Sequence, residues 1–216
     1  MAQKRSRMNK LQKGILVLNG EIPPCIDFAG YDCIVCADGG FDRLNEEVKK
    51  RVHCLIGDMD SVGKKSLDLY QKTLKTIVLE RDKDQTDGQM ALQYLHQLGV
   101  HNIDIVGATG GRMDHIFYNF ALGETGNVRI LGDGFFAKMM GQGRHTQQVQ
   151  VGAVISLVPL FGSVHINSTK GLKFPLVDAT IEFGLGQIAT LSNIAIEETF
   201  LLDVATGKVL VLCYDQ

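Results

Sequence analysis

From residue 14 to about residue 132 the chain alternates short apolar runs with longer stretches of helical spacing, and the pattern stops after Asp133. The runs are residues 15–18, 33–37, 52–56, 76–79, 103–106 and 128–131. Each is short, rich in β-branched residues and mostly apolar at successive positions, as expected of strands buried on both faces. Helices are predicted between them at 41–50, 64–72, 87–98 and 114–123. The third carries the clearest signals: Thr86 and Gln89 suit a capping box, and Leu92, Leu95 and Leu98 recur at helical spacing beside Ala91. Strand alternating with helix implies an α/β domain with a mostly parallel, Rossmann-like sheet.

Beyond Asp133 helical periodicity disappears. Strand-like runs recur at 147–151, 154–158, 162–166, 180–183, 187–191, 197–202 and 208–212, separated by joints such as Phe183-Gly184-Leu185-Gly186 and Thr206-Gly207-Lys208. That grammar predicts an all-β sandwich. The expected organisation is a basic tail over 1–13, an α/β domain over 14–135 and a sandwich over 136–216. The join falls in the stretch holding Gly132, Gly134, Gly141 and Gly143. A chain of 216 residues is long enough for both cores.

A formal charge of −2 argues against a nucleic-acid partner, and the dense basic run is confined to Lys4, Arg5, Arg7, Lys10 and Lys13. That run lacks the apolar core of a secretory signal, and no stretch reads as a membrane span. Cys25, Cys33, Cys36, Cys54 and Cys213 make an odd number. Cys33 and Cys36 lie three apart on a predicted strand and so point to opposite faces, which favours buried thiols over a metal or redox pair. A reducing cytoplasm is the expected location.

The acids of the first half collect after the strands. Asp38 follows the second run in Ala37-Asp38-Gly39-Gly40, and Asp58 and Asp60 follow the third in Gly57-Asp58-Met59-Asp60-Ser61. Lys83-Asp84-Gln85-Thr86-Asp87 follows the fourth, and Thr109-Gly110-Gly111-Arg112-Met113-Asp114-His115 the fifth. All four therefore occupy the carboxyl edge of one sheet, where open α/β sheets bind ligands. If the extended backbone continues to residue 60, Asp58 and Asp60 face one point while Met59 turns away. Paired carboxylates suit a hard cation such as Mg²⁺; by itself the pentapeptide also fits a solvated turn. Gly39-Gly40 and Gly110-Gly111 sit between strand and helix, where backbone N–H groups can meet phosphate, and Lys83 and Arg112 add positive charge. Neither glycine loop matches the Walker or dinucleotide pattern.

These segments, in this order, resemble the thiamine pyrophosphokinase family. In the second half, Lys170-Gly171-Leu172-Lys173-Phe174-Pro175-Leu176 and Leu191-Ser192-Asn193 are similar to that family's vitamin-binding segments. The resemblance implies a nucleotide-binding catalytic domain followed by a thiamine-binding sandwich, in a homodimer whose active site is shared between copies. It implies transfer of an intact diphosphate from ATP to the thiamine hydroxyl, leaving AMP, with Mg²⁺ as cofactor. Asp58, Asp60 and Asp87 would hold the metal, with Asp60 and Asp87 serving catalysis; for Asp87, orienting the hydroxyl competes with ligation. Asp38, Gly39, Gly40, Lys83, Asp84, Thr109, Gly110, Gly111, Arg112, Asp114 and His115 would line the nucleotide side. Lys173, Ser192 and Asn193 would contact thiamine.

One departure bears on the acceptor. The family often sets a tryptophan against the thiamine rings and this chain has none, so Phe174, Phe200 or Tyr214 would have to supply the aromatic face. Two other readings keep the same acids: a Mg²⁺-dependent phosphohydrolase or sugar-nucleotide transferase, and a thiamine or nucleotide sensor without turnover.

Overall fold

The computed structural model describes residues 12–70, 72–82, 84–125, 127–184 and 190–215. The basic residues Lys4, Arg5, Arg7 and Lys10, the phosphate candidate Lys83, and most of the strand predicted over 187–191 lie outside the described residues. The chain divides into two compact units, residues 1–128 and 129–216. The division falls some residues earlier than the glycine-rich stretch suggests, because Phe135–Met140 in that stretch is itself a strand.

In the first unit, β1 (Lys13–Val17), β2 (Cys33–Ala37), β3 (Cys54–Gly57), β4 (Thr76–Val78) and β5 (Asn102–Val106) lie in the order β5-β1-β2-β3-β4, with β1–β2, β1–β5, β2–β3 and β3–β4 paired in parallel. β2 and β3 are buried at every position, which explains their unbroken apolar runs. β4, at the edge, is short and mostly exposed. The chain steps outward from β1 to β4 and then returns to β5 on the other side of β1. The crevice between the carboxyl ends of β1 and β5 is therefore the topological switch point, where such sheets take ligands.

The helices between these strands are α1 (Glu46–Lys49), α2 (Lys64–Tyr70), α3 (Asp87–Gln97) and α4 (Met113–Ala121). α3 carries the expected capping box, with Gln89 N–H donating to Thr86 Oγ1 at 3.2 Å and Thr86 N–H to Gln89 Oε1 at 2.8 Å. It packs its buried Ala91, Leu92 and Leu95 across β1, β2 and β3. The helix predicted over 41–50 forms only in part. A 3₁₀ segment over Asp38–Arg43 comes first, and α1 is a single turn capped by Asn45. The break falls at Leu44 and Asn45, both extended, where Asn45 Oδ1 accepts from Val48 N–H and starts a new helix.

The second unit pairs two antiparallel sheets. β6 (Asn127–Gly132), β7 (Phe135–Met140), β9 (Val154–Val158), β12 (Asn193–Ile194) and β14 (Val209–Tyr214) lie in the order β12-β9-β14-β7-β6. β8 (Gly143–Gln148), β10 (Val164–Lys170), β11 (Val177–Ile181) and β13 (Thr199–Thr206) lie in the order β11-β10-β13-β8. Met140, Ile155, Leu157 and Val211 from the first sheet share one core with Ile166, Phe200, Leu202 and Val204 from the second. Burial alternates along β13, so one face enters that core and the other stays half-exposed. Phe200 is fully buried there and is a core residue, not an open aromatic face.

Candidate active site

At the switch point the ends of β1 and β5 are bonded tightly together. Leu18 N–H donates to Val106 O at 2.9 Å, Gly20 N–H to Gly107 O at 2.9 Å and Glu21 N–H to Thr109 O at 2.8 Å. A Cβ on Gly20 would lie 1.9 Å from Thr109 O, so this floor admits only glycine. Above it opens a cleft of about 520 Å³. Its walls take Asn19 after β1, Asp38 after β2, Asp58, Asp60 and Ser61 after β3, Arg81, Gln85, Thr86 and Asp87 after β4, and Thr109, Gly111, Arg112, His115 and Asn119 after β5.

Within this cleft Asp38, Asp58 and Asp60 each offer a carboxylate oxygen, and the three oxygens lie within 4.8 Å of one another. The approach is made by turns instead of the extended backbone expected at residues 58–60. β3 ends at Gly57, Met59 is left-handed at φ 64°, and Asp60 N–H donates to Asp58 Oδ1 at 3.0 Å. Asp38 is also left-handed, at φ 43°. Its Oδ1 is buried and has no hydrogen-bond partner among the described residues. Burial pushes the Asp38 carboxyl above its ordinary range, and the charges of Asp87 and Asp58 push the same way, against hydrogen bonds from Ser61 and the Gly39 N–H. Non-glycine residues at positive φ mark places where surrounding structure enforces strain, and two of them bound this acidic group.

Among the described residues Arg81 faces the acids: Nε lies 3.6 Å from Asp58 Oδ2 and Nη2 3.3 Å from Asp60 Oδ2. Arg112 is held differently, by Asp114, with Nε at 3.1 Å from Oδ1 and Nη2 at 2.5 Å from Oδ2. That pairing lowers the Asp114 carboxyl below its usual range and raises Arg112.

The cleft thus brings together Asp38, Asp58, Asp60, Asp87, Thr109, Gly111, Arg112 and His115 from the sequence-predicted set. Asp84, Gly110 and Asp114 stand outside its lining. Gly39 and Gly40 also stand outside and are buried against β1, where a Cβ on Gly40 would lie 2.3 Å from Val17 O. Both are closely packed: a Cβ on Gly39 would lie 2.5 Å from Asn19 Nδ2. Asn19, Arg81 and Asn119 were not singled out in the sequence; Asn19 was findable, because it follows the first strand as the acids follow the others.

In the second unit a smaller pocket of about 160 Å³ is lined by Leu157, Phe174, Pro175, Leu176, Thr190, Leu191 and Asn193. Asn193 fixes its rim: its Oδ1 accepts from Phe174 N–H at 3.0 Å and its Nδ2 donates to Phe174 O at 2.6 Å. Ser192 is left-handed at φ 58° and donates its N–H to Ser156 Oγ at 3.1 Å. Lys173 lies 5.4 Å over the Phe174 ring. Of the predicted thiamine contacts only Asn193 lines the pocket, with Ser192 next to it in sequence and Lys173 next to the lining residue Phe174.

Fold and site together define a Rossmann-like α/β unit with a carboxylate-lined cleft at its switch point, followed by a β-sandwich. Residues 28–125 match the family model described as thiamin pyrophosphokinase, catalytic domain, and residues 144–209 match that of the thiamin pyrophosphokinase vitamin B1 binding domain. A curated thiamine pyrophosphokinase of Bacillus subtilis is 27% identical over 170 residues, covering 72% of this chain and 75% of the relative. Two solved structures have the same fold. A thiamin pyrophosphokinase family protein from Enterococcus faecalis has TM-score 0.81 and 23% identity over 95% of this chain and 100% of its own. The yeast thiamin pyrophosphokinase has TM-score 0.79 and 16% identity over 94% and 86%. The chain belongs to the thiamin pyrophosphokinase family.

Proposed function

We propose that this chain transfers the diphosphate group of ATP to the hydroxyl of thiamine and releases AMP. The observation that carries this reading is the convergence of Asp38, Asp58 and Asp60 within one switch-point cleft of a chain matched by both family models. The donor set fits a hard divalent cation. Three carboxylates offer oxygens within 4.8 Å, and one of those residues, Asp38, has a buried Oδ1 with no hydrogen-bond partner among the described residues. Asp38, Asp58 and Asp60 would hold Mg²⁺, which when bound supplies neutralisation of phosphate charge.

The remaining roles fall to side chains of the cleft. Asp87, in the first turn of α3, orients the acceptor hydroxyl and takes its proton. Arg112 engages Asp114 through Nε and Nη2, which leaves its Nη1 donors for a phosphate oxygen. Catalysis then rests on positioning and on charge compensation, as suits a weak nucleophile attacking a polyanion.

For the acceptor, the sandwich pocket offers apolar walls at Leu157, Leu176 and Leu191, the exposed ring of Phe174 and the amide of Asn193. Phe174 is the aromatic face in this tryptophan-free chain, with Lys173 and Ser192 flanking it. We assign a homodimer whose active site is shared between copies, as family membership suggests. The cytoplasm is the assigned compartment, supported by five free thiols, four of them buried. No helix among the described residues is long and apolar enough to cross a membrane.

The test is to incubate the protein with ATP, Mg²⁺ and thiamine and to resolve nucleotides and vitamin forms by chromatography. Thiamine-dependent AMP together with thiamine diphosphate supports the reading. ADP with thiamine monophosphate, or free phosphate without a modified vitamin, contradicts it.

A further inference from the structure

β3 and β4 pair in parallel with Gly57 opposite Val78, so the segments that follow them leave the sheet side by side. This sets Arg81, three residues past β4, across Asp58 and Asp60. Its guanidinium contacts two of the three carboxylates that the reading above gives to a cation, on which this inference rests. The distances of 3.3 and 3.6 Å are longer than the 2.7–2.9 Å of a tight charge-assisted bond, and the side chain is 72% exposed. Such a contact is loose. A divalent cation on the same carboxylates competes with the guanidinium for their lone pairs, and its positive charge repels one nearby.

We propose that Arg81 is an exchangeable counter-cation: it bridges Asp58 and Asp60 while no divalent ion is bound, and yields those oxygens when one enters. The arrangement answers a physical problem of the site. Three acids within 4.8 Å repel one another in the metal-free protein, and among the described residues Arg81 is a basic side chain in contact with two of them. Arg112 lines the same cleft but is paired with Asp114. Arg81 therefore sets the concentration of free cation at which the site fills, as a positioning residue acting through Asp58 and Asp60.

The exchange is tested by titrating Mn²⁺ without nucleotide, reading the free ion by electron paramagnetic resonance, into the wild type, Arg81→Gln and Arg112→Gln. Because exposed ion pairs are individually weak and Arg81 makes two, Arg81→Gln is expected to bind Mn²⁺ roughly three- to tenfold more tightly than the wild type. Arg112→Gln removes the same charge from the same cleft without touching these acids, and is expected to stay within about twofold. Equal, saturable binding by the wild type and Arg81→Gln overturns the exchange while leaving the cation site standing. An equal gain in both variants overturns it as well, since the effect is then one of net charge. Absence of Mn²⁺ binding in every protein overturns the exchange and the cation reading together.

Discussion

Asp38→Asn separates electrostatic strain from backbone strain at the centre of the site. Asparagine tolerates the left-handed conformation that Asp38 adopts at φ 43°, so the substitution removes charge while keeping shape and backbone. Two unit charges at 4.8 Å, the limit of the spacing among Asp38, Asp58 and Asp60, repel by roughly 0.9 kcal/mol in water and ~3.5 kcal/mol at an effective dielectric of about 20. Arg81 offsets part of this, so without divalent ions Asp38→Asn should gain about 1–2 kcal/mol near neutral pH. The gain must depend on pH. The folded pKa of Asp38 lies above its ordinary value of 3.8, so the native state holds this proton more tightly than the unfolded chain. The cost of its charge is absent below the ordinary value, where both states are protonated. It grows as pH rises and is full above the folded pKa. Urea unfolding of both proteins in a chelator, from about pH 3 to about pH 8, reads the difference. A gain present near neutrality and vanishing in acid is expected; a loss of stability, or a difference independent of pH, would refute the reasoning.

Other substitutions probe the frame around the acids. Gly40→Ala should destabilise by about 2 kcal/mol, because its Cβ would meet the backbone of Val17 at 2.3 Å, whereas Gly111→Ala, with nothing within 4 Å, should stay within about 0.5 kcal/mol in the same urea titration. Thr86→Ala breaks the α3 capping box and should cost ~1 kcal/mol of stability by thermal unfolding, while lowering kcat through the neighbouring Asp87. Asn193→Ala releases the Phe174 backbone from both amide contacts; steady-state kinetics should show KM for thiamine rising about tenfold with KM for ATP little changed.

The parallel sheet was legible because β2 and β3 are buried at every position and β1 and β5 at all but the first, which leaves largely apolar runs in the sequence. β7 was not, because its phenylalanines and methionines lie among Gly132, Gly134, Gly141 and Gly143, which read as a joint. At the site, acids standing after successive strands could be counted along the chain. Arg81 could not be matched to Asp58 and Asp60 in that way, because only the β3–β4 pairing makes them neighbours. The closeness of Asp38 to Asp58 and Asp60 was likewise not readable from spacing, since Asp38 stands in a left-handed turn after β2. The close packing of Gly39 on Asn19 and of Gly40 on Val17 also needed the third dimension.

The central claim is that the carboxylates at the switch point perform the chemistry. The most direct measurement is thiamine-dependent AMP formation per folded molecule by Asp60→Asn beside the wild type, with the folded fraction taken from circular dichroism. Asp60 is exposed at the cleft rim and its loss relieves repulsion, so the variant should remain folded while turnover falls by about 100-fold or more. A variant that unfolds yet keeps full activity per folded molecule would contradict the account.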